Sequence, residues 1–312
     1  MKKLLVFVFI VIIFTTCTPQ EVVPVHISVD EAPDIEESLT APTQEPQPEI
    51  PLPPSPCEPL DFVETAKRII NPIHGDIYIG MSCLTTSNYR YIDNSGAIHP
   101  ASTIKAFIME YALLQVHAGN AELDEVYDGV TLLFSIAQMI QISCNPSTGT
   151  VIARFGRESI DDWLLENYED TRLFDDWRGE YVGQFNTTSV EDTIVFLEKL
   201  WINREDEPYK LMLEIMFGTV HSREKIPTAT EGIAGIYIAN KSGAFISEGL
   251  TADHDMAIVV KRDFQGEIEF AYALTFYSYS IPAYGVFPAR PAIIDMALDI
   301  FMQVYEYSRG GY

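Results

Sequence analysis

The chain has 312 residues, of which 47% are hydrophobic, so it is long enough for one large domain or two small ones with buried cores. Its 45 acidic and 20 basic residues give a formal net charge of −25. This charge argues against nucleic acid as a partner and against direct adhesion to anionic lipid headgroups, because both interactions need clustered Lys and Arg.

The N-terminus has the pattern of an export signal. Two lysines precede an apolar run from Leu4 to Phe14, which is shorter than a membrane span requires. Cys17 follows and resembles the lipidation site of bacterial lipoproteins, although Thr16 stands where such signals usually carry Gly or Ala. We predict a signal peptide over residues 1–16 and an exported, extracytoplasmic protein anchored to a membrane by lipid on Cys17. Plain secretion and an uncleaved anchor are the alternatives.

Residues 17–59 differ in composition from the rest of the chain. Eleven of the 19 prolines lie between Pro19 and Pro59, and no Lys or Arg occurs between Lys3 and Lys67. A Pro-rich, acidic chain repels itself and lacks the apolar residues for a core, so it stays extended. We predict a disordered spacer, with a protein-binding role for the Pro-rich stretch as the alternative.

Three further cysteines follow Cys17, at Cys57, Cys83 and Cys144. Export implies an oxidising compartment in which a Cys57–Cys83 disulfide can form, and an odd count leaves one thiol unpaired. The sequence has no C-x-x-C pair. It therefore predicts no zinc site, and we expect neither a metal nor a cofactor.

Periodicity predicts a folded domain over residues 60–312 with helices surrounding a small number of strands. Ser159 is expected to cap one helix, with Asp161 and Asp162 in its first turn, and Ser189 to begin another. The predicted strands lie at both ends of the domain, so a sheet must form across a long helical insertion. The predicted order is a helix from Phe62 to Ile70, strands at Asp76–Leu84 and Asn88–Asp93, a helix after Ser102, helices at Gly129–Ser143, Thr148–Phe155 and Ser159–Asn167, a loop at Tyr168–Asn186, helices from Ser189 and at Tyr209–Phe217, strands at Ile236–Asn240, Met256–Lys261 and Ile268–Phe276, and a helix at Ala289–Tyr307.

The pattern S-x-x-K at Ser102 and Lys105 is the first sign of chemistry. On a helix, positions i and i+3 lie one turn apart on the same face, so an amine would lie beside a hydroxyl. A buried lysine loses its charge readily and can take the serine proton, and a helix start offers N–H groups to an oxyanion. Taken singly, Ser102 could equally be a helix N-cap with an incidental lysine. A second S-x-x-K, at Ser222 and Lys225, has polar flanks and is interpreted as chance.

Two more motifs follow in order, S-x-N at Ser143–Asn145 and K-S-G at Lys241–Gly243. S-x-x-K, S-x-N and K-[ST]-G in this order resemble penicillin-binding proteins and class A β-lactamases. The fragments PASTIK, FNTTSVEDTIVFL and ADHDMAIVV also resemble class A enzymes. The resemblance covers the chain from Leu60 to its C-terminus. It implies an α/β (α+β) fold of the β-lactamase/transpeptidase type, a five-stranded antiparallel sheet flanked by helices with an inserted all-helical layer.

The resemblance implies three catalytic roles for the motif residues. Ser102 would attack the carbonyl of a β-lactam or a D-Ala-D-Ala peptide, and Lys105 would be part of the base that activates it. Ser143 would pass a proton to the leaving nitrogen.

The same resemblance implies binding roles around the second and third motifs. Asn145 would bind the amide side chain of the substrate, and Lys241 and Ser242 would hold its carboxylate. Gly243 would let substrate lie against the strand edge, and the N–H of Ala244 would complete an oxyanion hole with that of Ser102.

Three features depart from the class A pattern or need a separate interpretation. Cys144 stands where class A enzymes usually have Asp and is interpreted as a small buried residue, with a reactive thiol as the alternative. Glu180 is the candidate for the glutamate that activates water for deacylation, and a solvated loop carboxylate is its alternative. The acidic run around His254 is predicted to be a solvated turn between strands.

The function predicted from the sequence is that of a class A-like serine β-lactamase working through a Ser102 acyl-enzyme. The alternatives are a D,D-peptidase or penicillin-binding protein acting on peptidoglycan, and a non-hydrolysing β-lactam- or muropeptide-binding domain. The expected partners are a small β-lactam or a peptidoglycan peptide, and a membrane reached through the lipid anchor. We expect a monomer.

Overall fold

The computed structural model describes residues 62–85, 89–174, 185–220, 223–247, 250–280 and 286–309. The predicted signal peptide, Cys17, the spacer and Glu180 lie outside these ranges and stay predictions. Within the described residues no helix is both long enough and apolar enough to cross a bilayer.

One antiparallel sheet of five strands organises the described residues. Its order is β2-β1-β7-β6-β5, so the strands from the two ends of the domain meet where β1 pairs with β7. The five-stranded sheet implied by the resemblance is confirmed, as is the mixture of sheet and helix. The strands are β1 Asp76–Cys83, β2 Arg90–Ile92, β3 Val126–Tyr127, β4 Val130–Thr131, β5 Ile236–Ser247, β6 Leu250–Arg262 and β7 Ile268–Ser280, of which β3 and β4 form a separate small hairpin.

Both faces of the sheet are buried, because alternate residues of its strands contact different sets of helices. On β6, Met256, Ile258 and Val260 belong to the core shared with the larger helical layer. Ala257 and Val259, between them in sequence, belong to the core on the opposite face. Successive side chains of a strand point to opposite faces, so a nearly continuous apolar strand is what a sheet covered on both sides requires.

The helices divide between these two faces. The second to seventh helices along the chain pack on the face that carries Met256. The first, eighth and ninth helices pack on the face that carries Ala257. The helices are α1 Phe62–Lys67, α2 Ile104–His117, α3 Leu132–Gln141, α4 Asn145–Phe155, α5 Arg157–Asn167, α6 Val190–Ile202, α7 Tyr209–Phe217, α8 Ile226–Ala229 and α9 Arg290–Ser308, with short 3-10 helices at Pro72–His74 and Ala101–Thr103.

Helix α2 is the central helix of the larger layer. Every residue from Ile104 to Leu113 is buried, so the helix is enclosed by other elements on all sides. Full burial of a large apolar side chain such as Phe107 contributes about 1.5–3 kcal/mol to the free energy of unfolding. A helix held in this way gives a rigid position to the residues at its start, and those include Ser102 and Lys105.

Of the two helix N-caps predicted from the sequence, one is confirmed and the other is wrong. Ser189 caps α6, and its hydroxyl accepts a hydrogen bond from the backbone N–H of Asp192 at 3.1 Å, as predicted. The prediction that Ser159 caps a helix is wrong, because α5 begins at Arg157 after Gly156, whose φ is 86°. Asp161 is therefore beyond the first turn, where its carboxylate pairs with Arg172.

Candidate active site

Ser102 lies in the 3-10 turn Ala101–Thr103, which leads directly into α2. The residue before it, Ala101, has a φ of 49°, in the left-handed region that residues with a Cβ rarely adopt. Holding a non-glycine residue there costs about 1–3 kcal/mol. The surrounding contacts must offset this strain. They thereby fix the orientation of the peptide that leads into Ser102.

Lys105, one helical turn after Ser102, is fully buried among oxygen acceptors. Its Nζ donates to the backbone carbonyl of Ser143 at 2.7 Å, to Asn145 Oδ1 at 2.7 Å and to Ser143 Oγ at 3.3 Å. All three of these acceptors are neutral. Burial lowers the pKa of Lys105 well below its usual value, and the neighbouring charge of Lys241 lowers it further. The chain therefore favours a neutral amine beside the nucleophile.

Ser143 links the two lysines of the site. It follows α3, and its φ of 58° is also in the left-handed region. Its Oγ accepts a hydrogen bond from Lys241 Nζ at 3.0 Å in addition to the contact from Lys105. A hydroxyl whose two lone pairs are engaged by amines can still donate its own hydrogen to a third group.

Lys241 approaches from the sheet, since it belongs to the edge strand β5. It is fully buried, and its Nζ also donates to the backbone carbonyl of Ser242 at 2.7 Å. Burial lowers the pKa of Lys241 to about 7, with a further contribution from the charge of Lys225, while Asp255 acts in the opposite direction. The negative charge of a bound substrate carboxylate would raise this pKa again and so favour the charged form of the amine, which can pair with it.

Gly243 allows β5 to contact the nucleophile turn. A Cβ at this position would lie 2.7 Å from the backbone nitrogen of Ser102 and 2.9 Å from the carbonyl oxygen of Pro100. Both are backbone atoms that cannot rotate away. The absence of a side chain is therefore what brings the strand carrying Ser242 and Ala244 against the N–H of Ser102, the arrangement that the predicted oxyanion hole requires.

The first, second and third motifs thus meet in one place. Lys105 and Asn145 come from the helical layer, Ser143 from the connection between α3 and α4, and Lys241 and Gly243 from the sheet. The roles that the resemblance assigns to them stay predictions, but the proximity that these roles need is present.

A buried ion network lies beneath Lys241, and the sequence interpretation missed it. Lys225 and Asp253 are both 2% exposed and pair at 2.9 Å, and Arg290 Nε donates to the same carboxylate at 2.8 Å. Asp255 accepts from the side chain of Asn240 at 3.1 Å. Burial raises the pKa of Asp255 to about 6.

This network corrects one prediction. The run Asp253 to Asp255 is not a solvated turn, because it lies inside β6 and all three residues are buried. Lys225 is a buried partner of Asp253, while Ser222 lies outside the described residues, so the interpretation of their S-x-x-K pattern as chance stays untested. No local signal could have found them, because Lys225 and Arg290, which pair with Asp253, are far from it in sequence.

The loop predicted to carry Glu180 is closed at its base near the nucleophile. Arg172 pairs backbone to backbone with Thr187, and Thr188 pairs with Ile98, four residues before Ser102. Residues 175–184 lie outside the described part of the chain, so the assignment of Glu180 stays a prediction.

Two further predictions concern cysteines and metals. Cys83 and Cys144 are both disulfide-bonded, so neither offers a thiol, while Cys57 lies outside the described residues. The alternative of a reactive thiol at Cys144 is therefore wrong for this structure, and its burial at 3% exposure agrees with the main interpretation. Among the residues that the structure describes, no group of three or more His, Cys, Asp or Glu side chains could hold a metal ion.

Comparison with known proteins agrees with this geometry. Residues 61–268 match the model of the beta-lactamase enzyme family, whereas no curated protein matches the chain. A β-lactamase from Sphaerobacter thermophilus superposes with a TM-score of 0.64 at 16% identity, over 78% of this chain and 97% of that one. A β-lactamase from Chitinophaga pinensis gives 0.66 at 15% identity over 78% and 98%. An ancestral class A β-lactamase gives 0.63 at 15% identity over 78% and 98%. Identities this low show a shared fold.

Proposed function

The chain belongs to the beta-lactamase enzyme family, and on that basis we propose that it hydrolyses β-lactams through an acyl-enzyme on Ser102. The observation that carries the proposal is the shared hydroxyl of Ser143, which accepts hydrogen bonds from both buried lysines, Lys105 at 3.3 Å and Lys241 at 3.0 Å. One hydroxyl in contact with both a candidate base and a candidate carboxylate-binding amine can pass a proton between them and the substrate.

In the proposed acylation, Ser102 Oγ attacks the carbonyl carbon of the β-lactam ring and Lys105 takes its proton. A neutral amine has two N–H bonds, and the carbonyl of Ser143 and Asn145 Oδ1 accept both at 2.7 Å, so the longer contact with Ser143 Oγ at 3.3 Å receives no hydrogen until the amine is protonated. Its lone pair then accepts the serine proton. The N–H groups of Ser102 and Ala244 stabilise the oxyanion, which develops in the transition state.

The ring opens when the carbon–nitrogen bond breaks and Ser143 donates its hydrogen to the nitrogen, while Lys105 passes the proton taken from Ser102 to Ser143 Oγ, 3.3 Å away, and becomes neutral again. Lys241 and Ser242 hold the substrate carboxylate during this step. The product is an ester between the opened β-lactam and Ser102. Hydrolysis of that ester needs a base for the attacking water, and we propose Glu180 for this role.

Intact-mass spectrometry with a penicillin tests the proposal. The protein should gain the whole mass of the penicillin, on the peptide that contains Ser102, and lose it again as hydrolysed product accumulates. The variant Ser102→Ala should show no adduct, while Ser159→Ala, a matched change at an exposed serine on α5, should react like the parent. Absence of an adduct, with the antibiotic unchanged, would overturn the proposal.

The closest alternative is a D,D-peptidase or a non-hydrolysing binder. Acylation of Ser102 is common to all three functions, so they differ in whether a group of the chain then activates water to release the acyl-enzyme. A penicillin adduct that persists for hours would support this alternative.

Replacement of Glu180 separates the two functions. In a β-lactamase, Glu180→Gln should trap the adduct, because an amide cannot accept the proton of the attacking water. Time-resolved intact-mass spectra of parent and variant give the clearance rates. Equal clearance in both proteins would show that Glu180 is not the base.

A further inference from the structure

The segment that carries Ser102 is held by side chains that reach it from the sheet. The backbone carbonyl of His99 accepts two hydrogen bonds, one from the ring of His254 at 3.0 Å and one from the hydroxyl of Tyr279 at 2.9 Å. These donors belong to the neighbouring strands β6 and β7. Two donors on one carbonyl fix the plane of the peptide that follows His99.

The ring of His254 is a donor because of its other nitrogen. The backbone N–H of Ser278 donates to His254 Nδ1 at 3.1 Å, so that nitrogen carries no proton and the proton is on Nε2, which faces His99. His254 is fully buried, and burial lowers its pKa to about 3, with Lys225 as a further cause. The ring is therefore neutral over the whole range in which the protein would be assayed.

Other contacts hold the same turn. The backbone N–H of Ala101 donates to the ring of His99 at 3.0 Å. The hydroxyl of Thr103 donates to the carbonyl of Pro100 at 2.7 Å and lies 3.0 Å from the hydroxyl of Tyr277, again on β7. Every residue from His99 to Thr103 except Ser102 is thus tied by a polar contact of this set.

The turn needs such contacts because of its backbone. Ala101 is held in the left-handed region at a φ of 49°, and Ser102 comes next. Relaxation of Ala101 to an ordinary conformation would rotate the following peptide and move both Ser102 Oγ and the N–H of Ser102. Those two groups are the proposed nucleophile and half of the proposed oxyanion hole, and misplacement by about 1 Å can cost 100-fold in rate.

We propose that His254 and Tyr279 are positioning residues, whose paired hydrogen bonds to the carbonyl of His99 hold the strained turn at Ala101 and direct Ser102 toward the acyl carbon. The inference rests on the proposed acylation of Ser102. Neither side chain is assigned a contact with substrate, and neither belongs to the three motifs.

Removal of single donors tests the inference. Tyr279→Phe deletes only a hydroxyl, and His254→Leu replaces the ring by an apolar side chain that cannot donate. Stopped-flow acylation with a chromogenic β-lactam, measured over a range of substrate concentrations, separates the dissociation constant of the first complex from the rate constant of acylation. We expect each variant to lower the acylation rate constant about fivefold to tenfold, the effect of one hydrogen bond. The dissociation constant should stay within about twofold, because the carboxylate-binding groups are unchanged.

Three further variants keep the result interpretable. His254→Gln retains an N–H near the position of Nε2 and should restore most of the rate lost in His254→Leu. Tyr272→Phe is the matched control, since Tyr272 is also buried on β7 but packs in the core on the opposite face of the sheet. The double variant with both donors removed should lose more than the product of the single effects, because one acceptor would then be left without either donor.

The outcomes separate the inference from the proposed function. All rates are expressed per acylated protein, determined by intact mass, so a variant that is partly unfolded lowers the amplitude but not the rate constant. If the parent is acylated and Tyr279→Phe reacts at the same rate as Tyr272→Phe, the positioning role is overturned and the proposed function stands. A rise in the dissociation constant with an unchanged rate constant would also overturn it. A parent that is not acylated at all would overturn both.

Discussion

The hydroxyl of Ser143 lies within hydrogen-bond distance of two amines, and burial lowers the pKa of both. A proton can therefore move between these three groups. Burial and the charge of Lys241 lower the pKa of Lys105, and Ser143 lies between the two amines. Groups coupled in this way titrate as a unit, and a change at one is felt at the others.

Deletion of that hydroxyl should affect chemistry more than binding. In Ser143→Ala the leaving nitrogen loses its proton donor, and general acid catalysis of this kind contributes about 100-fold or more. We expect the acylation rate constant to fall by that order while the dissociation constant of the first complex changes much less. Stopped-flow acylation measures both. Ser147→Ala, the same change four residues later in α4, is the control, and an acylation rate equal to that of the control would contradict the assigned role.

Lys241 gives the site a dependence on pH. Its pKa in the protein is about 7, so its charged fraction falls as the pH rises through that value. The substrate carboxylate stays ionised over this range, and its attraction to the amine therefore weakens. The dissociation constant of the first complex should rise from about pH 6 to about pH 8.5.

A permanently charged substitute isolates this effect. Lys241→Arg keeps its charge at all these values of pH, so its dissociation constant should stay level over the same range. The measurement is the concentration dependence of acylation at each pH. A parent whose dissociation constant does not change with pH would contradict the loss of charge on Lys241 over this range.

At the scale of single elements, the position of Ser102 depends on how closely strand β5 approaches the turn at Ala101–Thr103. Gly243→Ala would place a methyl group 2.7 Å from the nitrogen of Ser102, so the strand or the turn must move. We expect the acylation rate constant to fall at least about tenfold, with a loss of about 1–3 kcal/mol in the free energy of unfolding. Chemical denaturation and stopped-flow acylation measure the two effects. Tyr237→Phe, a change of one atom at an exposed residue of the same strand, should leave both nearly unchanged.

The outcome of the strand predictions shows which elements the sequence determines locally. The helix from Ser189 and the strand beginning at Ile236 follow from apolar periodicity and a capping residue, and both are present. The predicted strand covers Ile236 to Asn240, with the K-S-G motif at its end. In the structure it continues to Ser247, because pairing with β6 rather than local preference decides its length.

The charged run in β6 could not be identified as buried from its own residues. Asp253 is neutralised by Lys225 and Arg290, which lie in different elements at a distance in sequence. Acidic residues close together in sequence favour a solvated turn. Only the ion pairs with distant residues make their burial in a strand possible. The candidate site could be proposed from the sequence because each of the three motifs keeps its own residues within a few positions along the chain; the roles of these residues stay predictions.

At the scale of the whole molecule, the site lies where two layers meet. The helical layer supplies Lys105 and Asn145, and the sheet supplies Lys241 and Gly243. The contacts among these residues cross from one layer to the other. Activity therefore depends on the packing between the layers as well as on the folding of each.

The predicted lipid anchor is a second property at this scale. The full chain should partition with membranes in a bacterial host, because the signal over residues 1–16 directs export and acylation of Cys17 adds apolar chains. Cys17→Ser should be recovered in the soluble extracytoplasmic fraction with unchanged penicillin acylation. Quantitative blotting of the fractions measures the distribution. Recovery of the parent in the soluble fraction would indicate secretion without an anchor.

The pairing of β5 with β6 has a consequence for how this chain can change over generations. Gly243, which touches the turn, lies directly opposite His254, which holds the turn through its carbonyl. A shift of one residue would exchange the faces of the strand and turn Lys241 away from Ser143. Insertions and deletions within the paired parts of these strands should therefore be eliminated from the lineage even where they leave every motif letter intact, whereas changes of length in surface loops can accumulate.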